Sequence, residues 1–236
     1  MFARECDPVV DIFDLRHKER VFSDRAHAGE MLAGLLDAWS GTNAIVLAVP
    51  TGGVPVASSV ALLLGLELDV VPVAKIAPEF DIQVGYGALA FDGTLELNEA
   101  ARVALGISDQ DRDEAIVRAQ ERVRLEVEAL RGNRPFPDLV HRPVILVDDG
   151  IASGFTIDVA LRALHNRGAR SILVATPTSH TEALRRVGPH AEGLYVANLR
   201  SGAQFRVADA YQRWTEVTLQ EAGCLLEETR RGRHES

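Results

Sequence analysis

Lysine is nearly absent from this chain of 236 residues. Of its 25 lysines and arginines, only Lys18 and Lys75 are lysines. Cysteine is equally rare, and Cys6 and Cys224 form no C-x-x-C motif, so we expect free thiols in a reducing compartment. Aromatic residues make up 6% of the chain, too few to favour a stacking surface for single-stranded nucleic acid. The net charge of −9 provides no overall positive field for a polyanion. We therefore expect no nucleic-acid partner.

Long apolar runs are also missing. The longest, over residues 60–66, is interrupted by Gly65 and is too short to span a bilayer. The first residues, MFARECDPVVDIFD, contain acidic side chains and lack the continuous apolar core of a signal peptide or anchor. These features predict a cytoplasmic protein that does not contact a membrane.

Apolar segments rich in β-branched residues alternate with helical patterns along the chain. Helices are expected over 54–64 and 155–167, and the predicted strands are 44–49, 68–74, 144–147, 172–176 and 194–198. Pro72 removes one backbone donor from the second strand, which indicates an edge or a bulge. Apolar strands without polar alternation, separated by helices, are typical of a parallel sheet covered on both faces.

The length fits one α/β domain, which we assign to residues 1–236. Residues 1–21 are interpreted as an N-terminal extension, and 229–236 as a loose, charge-rich tail. Near the front, Asp24 and Arg25 are expected to be a helix N-cap and its neighbour, with no chemical role.

The segment VILVDDGIASGFT, residues 144–156, carries the most specific pattern. Ligands of an open parallel sheet bind beyond the carboxyl ends of strands, and Asp148 and Asp149 directly follow such a strand. Two adjacent carboxylates repel each other unless a cation or a hydrogen-bond donor accompanies them, as sugar hydroxyls and a metal-bound phosphate would. The loop after them has the glycines and hydroxyls that suit an anion beside a helix N-terminus: Gly150, Ser153, Gly154 and Thr156. A capped turn with two solvated acids is the structural alternative.

This pattern resembles the phosphoribosyl pyrophosphate (PRPP) motif of type I phosphoribosyltransferases. Other segments are similar to a bacterial and archaeal branch of that family with no assigned base specificity: FSDRAHAG at 22–29, TGGVPVA at 51–57, VAK at 73–75, GYGA at 85–88 and LNE at 97–99. The resemblance covers about residues 22–220. For Asp24 and Arg25 it implies a structural or hood-anchoring role. It implies a mainly parallel α/β sheet flanked by helices, a small hood at 76–98, and a homodimer.

The resemblance also implies a magnesium-dependent pentosyl transfer of nucleotide salvage. A ring nitrogen of a nucleobase-like acceptor would displace pyrophosphate from the anomeric carbon of PRPP. Asp148 and Asp149 would accept the ribose 2- and 3-hydroxyls, while Mg²⁺ would be held mainly by PRPP with these two acids as further ligands. The residues implied at the 5-phosphate are Gly150, Ile151, Ala152, Ser153, Gly154, Phe155 and Thr156.

Thr51, Gly52 and Gly53 are implied at the pyrophosphate. Two glycines allow the backbone to approach a phosphate closely, although a lone Gly-Gly is also typical of a turn before a helix. Lys75 ends an apolar strand, and the resemblance favours a catalytic phosphate or pyrophosphate contact over a solvated strand-end lysine. Thr51 stands where that branch usually has arginine. This difference keeps open a second hypothesis, a non-catalytic PRPP-binding regulator on the same fold.

The acceptor side is expected in the segment 199–223 and the hood. Tyr86 is expected either to contact the acceptor or to be an ordinary buried strand tyrosine. Phe205 is a second candidate for the acceptor side. Tyr211 and Trp214 would either join it as an aromatic wall or pack one helix onto the core.

The position of Ala152 carries information about the acceptor. In hypoxanthine-guanine members of the family, an aspartate lies at this point of the loop beside the purine ring. An alanine transfers no proton, so poor activity with hypoxanthine and guanine is expected. An acid-pair magnesium hydrolase is a third possibility, but the loop lacks the D-x-D spacing that it would need.

Overall fold

The computed structural model describes residues 9–79 and 85–234. The strands are β1 (Val10–Asp11), β2 (Ile45–Ala48), β3 (Glu67–Val70), β4 (Val73–Ile76), β5 (Gly87–Ala90), β6 (Leu95–Leu97), β7 (Val144–Val147), β8 (Ile172–His180) and β9 (Gly193–Arg200). The helices are α1 (Arg25–Leu35), α2 (Gly53–Leu64), α3 (Glu99–Ala104), α4 (Asp109–Arg131), α5 (Phe155–Asn166), α6 (Thr181–Val187) and α7 (Leu219–His234). None of the helices within these ranges has the length and apolar character needed to cross a bilayer.

Six strands form the main sheet in the order β1-β9-β8-β7-β2-β3, and all of their pairings are parallel. Side chains of β2 and β7 are buried on both faces. Helix α5 packs on one face, and α1, α2 and α7 pack on the other. Burial on both faces explains why these strands are apolar without alternation. The predicted α/β fold with a mainly parallel, helix-flanked sheet is confirmed.

The single strand predicted over 68–74 is wrong, because the chain divides there between two sheets. Residues up to Val70 form the edge strand β3 of the main sheet. From Val73 onward, β4 begins an antiparallel sheet with the order β4-β5-β6. Pro72 lies between the two strands, where its missing N–H costs no ladder hydrogen bond. Pro72 therefore marks the end of the edge strand, where the chain leaves the main sheet.

The small sheet packs against α4 through its own apolar cluster. The segment 76–98, expected to be a hood loop, therefore contains the two strands β5 and β6. Residues 80–84 of that segment lie outside the described residues. A small antiparallel element beside the main sheet agrees with the expected fold.

The tail that we expected to be loose is helical over 229–234. Thr229 is only 5% exposed. Arg230 lies 3.1 Å from one carboxylate oxygen of the buried Asp69 in β3, and Arg131 of α4 lies 2.6 Å from the other oxygen. The charge-rich composition suggested a solvated tail, but Arg230 in this tail forms an ion pair with the buried Asp69. The last two residues of the chain lie outside the described range.

Strand β8 runs four residues beyond the predicted 172–176. This extension pairs with β9, for example Thr178 with Asn198. Its next residue, Ser179, pairs with Ile151 in the loop that follows β7. The extension therefore supports the loop that carries the acid pair.

Candidate active site

The turn after β2 and the acid pair after β7 lie next to each other at the carboxyl edge of the main sheet. Ala48 is opposite Val147 in the parallel pairing of β2 with β7. A Cβ atom at Gly52 would lie 2.2 Å from Oδ2 of Asp149, and one at Gly53 would lie 2.9 Å from the carbonyl oxygen of Val147. Only residues without a side chain allow the two loops to approach this closely.

Asp148 and Asp149 are half-buried. The amide of Asp149 donates a hydrogen bond of 2.8 Å to Oδ1 of Asp148. Burial raises the pKa of Asp148 well above its ordinary value, and the charge of Asp149 raises it further. Burial also raises the pKa of Asp149, although the guanidinium of Arg25 opposes this increase. The pair is thus a poorly solvated anionic site that hydrogen-bond donors or cations would stabilise.

Arg25 was assigned no chemistry from the sequence, yet it contacts the acid pair directly. It is 8% exposed, and its Nε donates a hydrogen bond of 2.8 Å to Oδ2 of Asp149. The N-cap interpretation of Asp24 holds, since its side chain accepts a hydrogen bond from the amide of His27. A cation in the first turn of a helix is unfavourable toward the helix dipole. This unfavourable position was the sequence signal that Arg25 has a partner elsewhere.

The segment after β9 folds over the acid pair. The hydroxyl of Tyr211 donates a hydrogen bond of 2.6 Å to the carbonyl oxygen of Asp149. Val207 fills the space beside Gly150, where a Cβ would lie 2.2 Å from one of its methyl carbons. A helix carrying both Tyr211 and Trp214 is not observed, since 211–218 is non-helical. The expected helix is therefore wrong, whereas the expected packing onto the core is correct for Tyr211, which is buried in an apolar cluster with Phe22.

The loop between β7 and α5 is anchored at Ile151 and open at its tip. Ile151 is buried, and its amide donates a hydrogen bond of 2.9 Å to a carbonyl oxygen of β8. Gly154 has a φ of +77°, a conformation that favours glycine, and it directly precedes α5. The exposed or half-buried residues of the tip and the first helical turn are Ala152, Ser153, Phe155 and Thr156. The amide of Phe155 donates a hydrogen bond of 3.4 Å to Oγ of Ser153. The first amides of a helix have no intrahelical partners, which is what an anion site at this helix start requires.

Tyr86 does not lie on the acceptor side. Its side chain is fully buried in the apolar cluster between the small sheet and α4. Its hydroxyl has no hydrogen-bond partner among the described residues, and burial raises its pKa. The expected acceptor contact is therefore wrong, and the alternative of an ordinary buried tyrosine is correct.

Three other residues predicted for the site lie in three separate parts of the structure. Thr51 is half-buried in the turn after β2, next to Gly52. Phe205 packs edge-on against His180, with ring centroids 5.5 Å apart. Lys75 is exposed in β4 of the small sheet. Its predicted place at the end of a main-sheet strand is wrong, because the chain leaves that sheet before it.

The acid pair fits a magnesium ion that a bound phosphate compound would hold for the most part. Within the described ranges, no three His, Cys, Asp or Glu side chains cluster into a complete metal site. Magnesium in phosphate sites is commonly held by one or two carboxylates, with phosphate and water oxygens completing the octahedron. Asp148 and Asp149 offer that number, and one oxygen of Asp149 already binds Arg25.

Comparison with known proteins agrees with this geometry. Residues 23–192 match the family model of the phosphoribosyl transferase domain. The chain therefore belongs to the phosphoribosyl transferase family, as its motifs indicated.

Two relatives resemble most of the chain. A Mycobacterium tuberculosis protein, provisionally named a phosphoribosyl transferase, is 31% identical over 217 residues, which are 90% of this chain and 48% of that protein. The chain thus spans about half the length of the curated relatives that it matches. The crystal structure of TT1426 from Thermus thermophilus is 34% identical and superposes with a TM-score of 0.67, covering 88% of this chain and 98% of that one.

A more distant solved structure is the purine phosphoribosyltransferase from Pyrococcus horikoshii. It is 16% identical and covers 74% of this chain and 82% of its own, with a TM-score of 0.43.

Proposed function

We propose that this protein transfers the phosphoribosyl group of PRPP to a nucleobase-like acceptor and releases pyrophosphate. The observation that carries the proposal is the close contact of the acid pair with Gly52 and Gly53. This contact brings carboxylates that suit ribose hydroxyls next to a glycine turn whose backbone a pyrophosphate can approach closely. A transferase must hold both ends of its donor so that the anomeric carbon faces the acceptor. Family membership supports the class of reaction.

Each part of the site would bind one part of PRPP. Asp148 and Asp149 would accept hydrogen bonds from the ribose 2- and 3-hydroxyls, and their charge makes such bonds stronger than neutral ones. The loop 150–156 would bind the 5-phosphate through the backbone amides of its tip and the hydroxyls of Ser153 and Thr156, while the amide of Ile151 stays paired with β8. Magnesium, when bound to PRPP and the acid pair, would supply positive charge that stabilises the departing pyrophosphate.

The reaction would form a bond between an acceptor nitrogen and the anomeric carbon while the bond from that carbon to pyrophosphate oxygen breaks. Thr51, Gly52 and Gly53 would hold the leaving pyrophosphate. The segment after β9 would cover the acceptor side, since Tyr211 and Val207 pack on the acid-pair loop. Phe205 belongs to this segment. We expect the active molecule to be a cytoplasmic homodimer.

A second candidate function is a PRPP-binding regulator without turnover. Thr51 favours it, because a hydroxyl replaces the cation that the related loops usually offer to pyrophosphate. A pyrophosphate-release assay with PRPP, Mg²⁺ and a panel of bases separates the two functions, with calorimetric PRPP binding measured in parallel. Turnover with any base supports the transferase, and binding without turnover supports the regulator.

Thr51→Arg is expected to raise the affinity for pyrophosphate. A guanidinium at this position would add a hydrogen bond between charged groups, worth about tenfold in affinity. Titration calorimetry with magnesium pyrophosphate measures the change. Thr51→Gln is the matched control, since it adds similar length without charge. An equal gain in pyrophosphate affinity in both variants would show that a positive charge at residue 51 does not contribute to pyrophosphate binding.

Hypoxanthine and guanine are expected to react about a hundredfold more slowly than the true acceptor, because Ala152 supplies no acid or base. Ala152 is exposed on the loop, so an aspartate fits there without burial. Steady-state rates for hypoxanthine with wild type and Ala152→Asp test this expectation. Efficient hypoxanthine turnover that Ala152→Asp leaves unchanged would contradict it.

A further inference from the structure

We propose that Arg25 is a positioning residue that holds the carboxylate of Asp149 and the acceptor-side segment 211–215 in one fixed arrangement. The inference rests on the proposed function, because it gives Arg25 a role in presenting Asp149 to PRPP. It assigns to Arg25 no contact with the ligand itself.

The guanidinium of Arg25 joins two parts of the chain that are distant in sequence. Its Nε donates to Asp149 at 2.8 Å, and its Nη1 donates to the carbonyl oxygen of Thr215 at 2.7 Å. The ring of Trp214 lies against it, with 3.8 Å from Cζ to the ring centroid. These contacts limit the guanidinium to one position, since a planar fork bound on two sides and stacked on a ring has little freedom.

The backbone before Arg25 holds the same segment. Phe22 pairs with Tyr211 in a parallel bridge, and the amide of Gln212 donates to the carbonyl oxygen of Phe22 at 2.8 Å. The amide of Arg213 donates to the carbonyl oxygen of Ser23 at 3.0 Å. The motif FSDR thus fastens the acceptor-side segment to the start of α1.

The hydrogen bond from Arg25 fixes the orientation of the Asp149 carboxylate. Its Oδ2 faces both Arg25 and the space where a side chain at Gly52 would be. Without the guanidinium, the carboxylate still has Asp148 as a charged neighbour, and Asp148 repels it. Loss of one partner from a buried ion pair leaves the other uncompensated. We therefore expect the carboxylate to turn away from the ribose position when Arg25 is replaced.

Arg131 provides a matched control for Arg25. It is also buried, at 5% exposed, and it lies 2.6 Å from the carboxylate of Asp69. It donates to the carbonyl oxygen of Pro135 at 2.7 Å and lies 4.8 Å from the ring centroid of Phe136. Arg131 thus contacts a carboxylate, a carbonyl oxygen and an aromatic ring, as Arg25 does. Arg131→Gln therefore removes a comparable set of buried contacts at a place away from the acid pair.

The test is a double-mutant cycle read by titration calorimetry with PRPP and Mg²⁺. The variants are Arg25→Gln, Asp149→Asn, the double variant, and Arg131→Gln. Arg25→Gln is expected to weaken PRPP binding by about tenfold to a hundredfold, as is typical for partners that orient a binding side chain. In the Asp149→Asn background the same change is expected to have little further effect. Arg131→Gln is expected to lower the melting temperature and leave PRPP affinity unchanged.

An equal loss of affinity from Arg25→Gln in the wild-type and the Asp149→Asn backgrounds would overturn the inference, because Arg25 would then act without Asp149. Unchanged affinity in Arg25→Gln would overturn it as well. If the glutamine variants do not fold, Arg25→Lys and Arg131→Lys carry the same comparison, and Arg25→Lys is expected to lose affinity since one ammonium cannot reach both partners. If the wild-type protein binds no PRPP, the proposed function is refuted. The role of Arg25 in PRPP binding is then refuted as well.

Discussion

Replacing Asp148 and Asp149 together by asparagine is expected to abolish PRPP binding even with Mg²⁺ present. Amide oxygens still accept hydrogen bonds, but they lack the charge that makes such bonds about twice as strong. They also lose the attraction for a magnesium ion. The fold is expected to survive, because the loss of the ion pair between Asp149 and Arg25 is offset by removal of the repulsion between two poorly solvated carboxylates. Titration calorimetry with PRPP and Mg²⁺ measures the loss.

Asp69→Asn is the control for the double asparagine variant. Asp69 is a buried acid that binds two arginines where β3 meets α4 and α7. Its replacement is expected to lower the melting temperature with PRPP affinity unchanged. Wild-type PRPP affinity in the double asparagine variant would show that the ribose and metal roles given to the acid pair are wrong.

Gly52→Ala is expected to weaken PRPP binding by about tenfold to a hundredfold, since misplacement by about 1 Å in such a site has effects of this size. The added methyl group would lie 2.2 Å from Oδ2 of Asp149. Either the turn or the carboxylate must move, and the carboxylate is held by Arg25. Calorimetric titration of the variant with PRPP gives the size of the effect.

Gly34→Ala is the matched control, because a Cβ there meets no atom within 4 Å. Gly34 lies inside α1, where alanine is favoured over glycine by up to about 1 kcal/mol. This control is expected to keep PRPP affinity and to raise the melting temperature slightly. Equal PRPP affinities in Gly52→Ala and Gly34→Ala would mean that the turn at residue 52 does not contact the ligand region.

The segment from β7 through α5 could be predicted closely from the sequence because its signals are local. An apolar run ends at Asp148, and α5 begins directly after Gly154. The position of this segment at the carboxyl edge follows from the parallel arrangement of the strands. The nearness of Gly52 to Asp149 then follows because their strands are neighbours.

Other features depend on contacts between residues distant in sequence. The residues before and after Pro72 in the segment 68–74 have similar strand propensity. Propensity alone does not determine that the first part joins the main sheet and the second part joins the small sheet. Arg25 is 124 positions from Asp149. Its place in the first helical turn indicates a partner elsewhere, but nothing local identifies that partner as Asp149. The helical end of α7 depends in the same way on the pairing of Arg230 with the buried Asp69.

The most direct test of the central claim is a crystal structure of the protein with PRPP and Mg²⁺. We expect the ribose hydroxyls within hydrogen-bonding distance of Asp148 and Asp149. The 5-phosphate is expected on residues 150–156, and the pyrophosphate is expected on Gly52 and Gly53. PRPP bound with its ribose away from both carboxylates, or at another place on the protein, would contradict the account.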